Sequence, residues 1–231
     1  MFTGIIEEKG RVAALEKNAD TGVWSLRVAT GKIAADPATA IGDSVAVNGC
    51  CLTVVAIAGT TGTGTGGILS FDVLDETLRA TSFRRLADPS VAADAVVNLE
   101  RALSPTARMG GHFVSGHVDA AGEIVSLAQE GANHRLRVRP PVEFLRYVVY
   151  KGSVAVDGIS LTVADVDDDA GTFDIWLIPH TLAVTNLGSL AAGDLVNLEF
   201  DLLAKYVEKL CAPRLAADLE TAEGLQPLPF V

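Results

Sequence analysis

Apolar residues in this chain fall in short β-branched runs, among them Val45-Ala-Val47, Leu52-Thr-Val-Val-Ala-Ile57, Ser70-Phe-Asp-Val73 and Val97-Asn-Leu99. Asn-Gly, Asp-Gly and Gly/Asp-rich stretches separate the runs, which is the turn chemistry of antiparallel hairpins. The pattern predicts strands. Successive strand residues point to opposite faces, so Cys50 and Cys51 cannot both point inward. A helical period appears only after the last run, where Leu203, Val207 and Leu210 share a face and Lys205, Glu208 and Lys209 lie elsewhere. That stripe either packs on its own domain or forms an oligomer seam, and Pro213 is expected to break the helix after two or three turns.

The runs repeat. Ser44-Val-Ala-Val-Asn-Gly-Cys-Cys-Leu-Thr-Val54 aligns with Ser153-Val-Ala-Val-Asp-Gly-Ile-Ser-Leu-Thr-Val163 at an offset of 109, with eight identities in eleven positions. Phe2-Thr-Gly4 matches Val114-Ser-Gly116, Glu76-Thr-Leu78 matches His180-Thr-Leu182, and Val97-Asn-Leu-Glu100 matches Val196-Asn-Leu-Glu199, as the offset drifts from 112 to 99. The expected fold class is all-β: two tandem, similar, six-stranded antiparallel barrels of Greek-key type plus a short C-terminal helix. Closure of each sheet removes its exposed edges. The expected boundaries are 1–110, 111–202 and 203–231. Thr81-Ser-Phe83 against Thr185-Asn-Leu187, and the longer segment from Leu86 to Ala95, read as loop edits between the copies.

The stretch Gly59 to Gly67 contains G-x-G-x-x-G at Gly62, Gly64 and Gly67, but a strand, Ile68 to Val73, follows it. A dinucleotide fingerprint requires a helix there, so the stretch reads as a hairpin turn, like Asp167 to Gly171 in the second copy. Across 231 residues, 18 Lys+Arg against 29 Asp+Glu give a net charge of −11. That charge repels nucleic acid and anionic membranes, and the absence of an aromatic strip argues further against an oligonucleotide-binding barrel pair. No basic, then apolar leader opens the chain and no apolar run approaches the roughly 20 residues that span a bilayer, so a soluble, cytoplasmic protein is expected. Cys50, Cys51 and Cys211 show neither CxxC nor zinc spacing, which points to reduced thiols and no metal.

In order and spacing, several signatures resemble the riboflavin synthase family, with its duplicated lumazine-binding barrels. They are Met1-Phe-Thr-Gly4, Asn48-Gly-Cys-Cys-Leu-Thr53, Glu76-Thr-Leu-Arg79, Gly110-Gly-His-Phe-Val-Ser-Gly-His117, Tyr150-Lys-Gly152, Asp157-Gly-Ile-Ser-Leu-Thr162 and Pro179-His-Thr-Leu182. The resemblance covers residues 1 to 210. It implies dismutation of two 6,7-dimethyl-8-ribityllumazine molecules, two per active site, to riboflavin and 5-amino-6-(D-ribitylamino)uracil. It also implies no cofactor, a homotrimer in which the N-terminal barrel of one subunit faces the C-terminal barrel of another, and a lumazine synthase as a candidate partner. The alternative is a non-catalytic lumazine- or flavin-binding antenna protein on the same fold.

Two like ligands in opposite roles need similar pockets that differ at the chemistry, and Cys51 against Ser160, and Ala102 against Asp201, are such differences. Cys51, His117, Ser160 and Asp201 are the catalytic candidates. An imidazole with an ordinary pKa near 6.5 exchanges protons at neutral pH, and a thiol can exchange a proton or add to a ring carbon. Asp201 also suits a helix N-cap, and His112 reads as structural. The substrate-binding candidates are Phe2, Thr3, Gly4 and Ile6 at the terminus; Ser44, Cys51, Leu52, Thr53, Glu76 and Thr77 in the first copy; and Gly116, His117 and Val118 at the junction. In the second copy they are Lys151, Ser160, Leu161, Thr162, Ile178, Pro179, His180, Thr181 and Leu182. Hydroxyls at Thr53, Thr77, Thr162 and Thr181 suit a polyol chain and a uracil-like edge. Phe2 is expected to tuck the terminus into the barrel interface.

Overall fold

The computed structural model describes residues 1–59, 66–92 and 95–221, with backbone alone for 89, 90 and 212–221. The chain forms β1 (Glu8–Lys17), β2 (Trp24–Thr30), β3 (Ser44–Val47), β4 (Cys50–Ala58), β5 (Gly67–Val73) and β6 (Val96–Arg101). The second set is β7 (Ala120–Glu130), β8 (Asn133–Arg139), β9 (Ser153–Val156), β10 (Ile159–Asp167), β11 (Thr172–Leu177) and β12 (Leu195–Phe200). The helices are α1 (Asp75–Ala80), α2 (Pro89–Ala92), α3 (Pro179–Val184) and α4 (Leu202–Thr221).

Each set closes into an antiparallel barrel with the same order, β1-β2-β5-β4-β3-β6 and β7-β8-β11-β10-β9-β12. Even the irregularities repeat, with register shifts between Val12 and Ala14 and between Ile124 and Ser126, and again between Val54 and Ala56 and between Val163 and Asp165. A bulge adds bend and twist, which closing six short strands demands. Alternate residues fill each barrel: Leu26, Val28, Leu69, Phe71 and Leu99 in the first, Leu136, Val138, Phe173, Ile175 and Leu198 in the second, all at most 1 % exposed. Each such side chain contributes about 1.5–3 kcal/mol on burial. Of the paired cysteines, Cys50 faces the core and Cys51 is half-exposed. The glycine-rich stretch begins directly after β4, and its last residue, Gly67, opens β5, so a strand does follow; residues 60–65 lie outside those described.

Two expectations need correction. α4 does not stop at Pro213 but continues to Thr221. Proline removes one N–H and frees the carbonyl of Lys209, and because Lys209 is exposed that carbonyl can take water instead. Nor are Ser82 and Asn186 loop edits. They start two 3₁₀ turns at the junction of the barrels, and both are buried. The Ser82 N–H donates to Asn197 Oδ1 at 2.6 Å, and the Asn186 N–H donates to Asn98 Oδ1 at 2.7 Å. Asn98 Nδ2 donates to the Asp157 carbonyl and Asn197 Nδ2 to the Asn48 carbonyl, at 3.0 and 2.8 Å. A buried polar lattice thus joins the barrels, and each copy satisfies groups of the other.

Candidate functional site

The leading segment of each copy crosses to the opposite barrel. The Phe2 N–H donates to the Val114 carbonyl at 2.7 Å and the Val114 N–H to the Phe2 carbonyl at 3.2 Å, a two-residue bridge on which the exchange pivots. Phe2 is 0 % exposed and packs with Ala46, Val114 and Ala155, so the aromatic at position 2 does tuck the terminus into the interface. Beyond the bridge, Ile6 packs on the core of the second barrel and Val118 on that of the first.

Two carboxylates fix this crossing. Glu100 accepts hydrogen bonds from Thr3 N, Thr3 Oγ1 and Gly4 N at 2.7, 2.8 and 2.9 Å. Its duplicate Glu199 accepts from Ser115 N, Ser115 Oγ and Gly116 N at 2.6, 2.7 and 2.9 Å. Burial pushes the Glu100 carboxyl up, while the donors from Thr3 and Gly4 pull it back. The glycines then meet the two residues that distinguish the copies. The Cys51 N–H donates to the Gly116 carbonyl and the Ser160 N–H to the Gly4 carbonyl, both at 2.8 Å. Gly4 and Gly116 sit at φ +77° and +83°, and a Cβ on either would come within 2.6 Å of the partner side chain. Only glycine fits.

Two faces result. One is set by Cys51 on β4 against Gly116, with His117 and Val118 next in the chain, Thr53 two residues further along β4, and Glu76 and Thr77 on α1 of the same barrel. The other is set by Ser160 on β10 against Gly4, with Ile6 two residues on, Leu161 and Thr162 next along β10, and Ile178, Pro179, His180, Thr181 and Leu182 at α3. The exchange therefore places the segment that carries His117 beside Cys51 rather than beside Ser160. Thr53, Glu76, His117, Thr162, Pro179 and His180 are exposed, and Ile178 is 56 % exposed, so both faces are open and shallow. Leu52 points into the core instead, as its place one step from Cys51 requires.

Ser160 has a neighbour that sequence reasoning set aside. His112 Nδ1 lies 2.7 Å from Ser160 Oγ, and the His112 N–H donates to the Thr3 carbonyl at 3.2 Å. Burial lowers the imidazole pKa, with Asp201 and Glu199 opposing, and its Nε2 is buried without a protein partner. Nothing in the spacing of Gly-Gly-His could have placed it there, because the contact spans 48 residues and depends on the exchange.

Lys151 stands in a left-handed turn at φ +63°, where the first barrel has Gly42 at +96°. Both N–H groups make the same bond, to the Val163 and Val54 carbonyls at 2.9 and 2.8 Å. Holding a lysine in this conformation costs on the order of 1 kcal/mol. Such strain is concentrated at functional sites, and Lys151 is exposed beside the second face, with Nζ 5.3 Å from the Tyr150 ring centroid.

Asp201 is the N-cap of α4, accepting from Leu203 N at 2.9 Å. It lines a cavity of about 550 Å³ with Tyr147, Val149, Ser153 and Leu203 at the mouth of the second barrel. The matching cavity of the first barrel, about 590 Å³, is lined by Thr3, Ser44, Glu100, Arg101 and Ala102. Cys51, His117, Lys151, Ser160 and Thr162 line neither, but Asp201 is close enough to His112 to oppose the fall of its pKa, and Thr3 lines the first-barrel cavity beside Ser44. No group of three or more His, Cys, Asp or Glu among the described residues is arranged to hold a metal ion. No helix among them is long and apolar enough to cross a membrane.

Comparison with known proteins places these features. The lumazine binding domain profile matches twice, at residues 3–102 and 115–201. A riboflavin synthase of Actinobacillus pleuropneumoniae is 42 % identical over 209 residues, 90 % of this chain and 89 % of that one. The riboflavin synthase of Mycobacterium bovis is 44 % identical over 91 % of this chain and 98 % of its own, and that of Schizosaccharomyces pombe 40 % over 94 % and 96 %. Among solved structures, LumP complexed with riboflavin superposes with a TM-score of 0.73 at 24 % identity, covering 87 % of this chain and 99 % of LumP, which shows a shared fold. With both copies matched and relatives this similar along nine-tenths of its length, the chain belongs to the lumazine binding domain family and, within it, to the riboflavin synthases.

Proposed function

We propose that this enzyme dismutates two molecules of 6,7-dimethyl-8-ribityllumazine, moving a four-carbon unit from one to the other to give riboflavin and 5-amino-6-(D-ribitylamino)uracil. The atoms balance without water or a redox partner, so no cofactor or metal is called for. The observation that carries this reading is the pair of faces built on one plan but differing at three equivalent positions: Cys51 against Ser160, Gly42 against Lys151, and Ala102 against Asp201. Twin faces suit twin ligands, and unequal side chains give them unequal roles.

In this reading the acidic C7 methyl of one lumazine loses a proton to a group on the protein, and the resulting carbanion attacks the other ring. The His112–Ser160 pair supplies a proton relay on one face, while Cys51 and His117 serve the other. Lys151 holds a ring carbonyl or ribityl hydroxyls, and the threonines bind the polyols. Stacking the two rings removes much of the entropic cost of a bimolecular step. Each face is too shallow to enclose a ligand alone, so the first face of one copy meets the second face of another. In α4 the side chains of Leu203, Tyr206, Val207 and Leu210 are 58–71 % exposed, an apolar stripe suited to the axis of a homotrimer. A lumazine synthase supplies the substrate, and the enzyme works as a soluble cytoplasmic protein.

The test is incubation with the lumazine alone. Flavin absorbance and fluorescence should rise to one riboflavin per two lumazines consumed. A single bound lumazine per chain with no product would favour the antenna-type reading.

A further inference from the structure

Helices α1 and α3 carry matching candidates, Glu76 and Thr77 against His180 and Thr181, yet they are held by different means. Both lean on the same local device, in which Thr81 Oγ1 and Thr185 Oγ1 donate to the Thr77 and Thr181 carbonyls at 2.6 and 2.7 Å. α1 has two further anchors from its own barrel. At its start, Asp75 Oδ1 accepts from Trp24 Nε1 at 2.8 Å and from Lys17 Nζ at 3.1 Å. At its end, Arg84 Nη1 reaches the Arg79 carbonyl at 3.4 Å.

In the second copy both anchors are gone. The position of Asp75 is Pro179 and that of Arg84 is Gly188, neither of which has a side chain able to form an ion pair or donate a hydrogen bond. The carbonyl equivalent to that of Arg79 belongs to Ala183, and it is Lys9 of the first barrel that donates to it, with Nζ at 2.8 Å. Lys9 has Ala121 as its own duplicate, so the first copy receives no such bond in return. The lysine crosses a cavity of about 510 Å³ that Leu182, Ala183, Thr185 and Gly188 line from the other side.

We infer that Lys9 is a positioning residue for the second ligand face, a clamp from the first barrel that replaces the two lost anchors of α3 and ties the geometry of one face to the other barrel. Its action on ligand rests on the function proposed above, whereas the clamp itself does not. An ammonium at the C-terminal end of a helix suits both the free carbonyls and the local dipole. The consequence is an asymmetry, with the first face set within its own barrel and the second set by contact between barrels.

The test is a crossed pair of variants of the full chain, Lys9→Met and Asp75→Ala, with Lys9→Arg as the conservative rescue. Hydrogen exchange read by mass spectrometry should show α3 amides exchanging about three- to tenfold faster in Lys9→Met, the loss of one charge-assisted bond at a solvated site. α1 should be unchanged and Lys9→Arg close to wild type. Asp75→Ala should do the reverse. Calorimetry with the lumazine should show weaker binding at one of two positions per chain in Lys9→Met and at the other in Asp75→Ala. Equal exchange of α3 in Lys9→Met and wild type overturns the clamp, as does equal acceleration of α1 and α3. If two lumazines bind and Lys9→Met alters neither affinity, the clamp does not position the ligand face. Failure of wild type to bind two lumazines would count against the proposed reaction, and the exchange comparison would still decide the clamp.

Discussion

His112 Nδ1 and Ser160 Oγ lie 2.7 Å apart, joining a residue of the interbarrel segment to the hydroxyl that stands where the first copy has Cys51. Burial keeps this imidazole neutral near pH 7, so it can accept the serine proton as well as donate to its oxygen.

Replacing either partner should lower turnover by about 100- to 10,000-fold, the usual scale for a lost general acid or base. His112→Phe combined with Ser160→Ala should cost no more than the worse single change, because the two act as a unit. Since the His112 pKa lies below its ordinary value, the acid limb of the rate profile owed to it should fall below about pH 6.5 and vanish in His112→Gln. Strictly additive losses would separate the two residues.

Burial pushes the Cys50 thiol up to about 12, whereas Cys51 is half-exposed and Cys211 exposed. Thiol reagents at pH 8 should therefore modify two cysteines in the folded protein and three in denaturant. A bound lumazine should shield Cys51 and leave Cys211 reactive. Shielding of neither would place the ligand elsewhere.

Asp157 is 1 % exposed and accepts from Asn197 N and Asn186 Nδ2 at 2.7 Å each, with no cation among its hydrogen-bond partners in the described residues. Burial raises its carboxyl to about 7, opposed by those donors and aided by Asp194, which pairs with Arg85. The folded state thus binds a proton that the unfolded chain releases near pH 4. Its contribution to stability is complete below that pH and is lost as pH rises through about 7. Asp157→Asn should flatten the fall in melting temperature between pH 5 and 8 and stabilise the protein at the upper end. An unchanged slope would assign the titration to another group.

Phe2 is fully buried, and Glu100 accepts three hydrogen bonds from residues 3 and 4. Phe2→Ala should destabilise by about 3–5 kcal/mol. Removing residues 1–4 should cost still more, since it also leaves a buried carboxylate without those donors. Activity should be lost with the second face, which Gly4 supports. An unaltered urea midpoint would show that the terminus only rests on the surface.

Leu203→Asp with Val207→Asp should yield monomers by light scattering and remove turnover while leaving barrel stability within about 0.5 kcal/mol, because both residues are already solvent-facing. Full activity in a monomer would mean that one chain suffices.

Much of this was readable along the chain. The eight identities around Asn48-Gly and Asp157-Gly announced a duplication, and the alternation through Cys50 and Cys51 told that one thiol is inward, because a strand's period of two is a local property. The N-cap role of Asp201 was equally local. Ser82 and Asn186 were misjudged for the opposite reason: a polar residue after a short helix looks like a loop until a second barrel is found to bury it. Pro213 misled because proline's cost in a helix depends on whether the freed carbonyl meets solvent.

By itself the sequence determined two similar six-stranded antiparallel barrels and that only one of Cys50 and Cys51 turns inward, since hydrogen-bonded hairpins and alternating burial are set by neighbours a few residues apart. Only the tertiary structure decided that the leading segments trade places, so that Gly4 serves Ser160 and Gly116 serves Cys51, and that His112 and Lys9 act on the second face. Those contacts join residues from 48 to 174 positions apart, and their geometry follows from how two closed barrels dock, which no local period encodes.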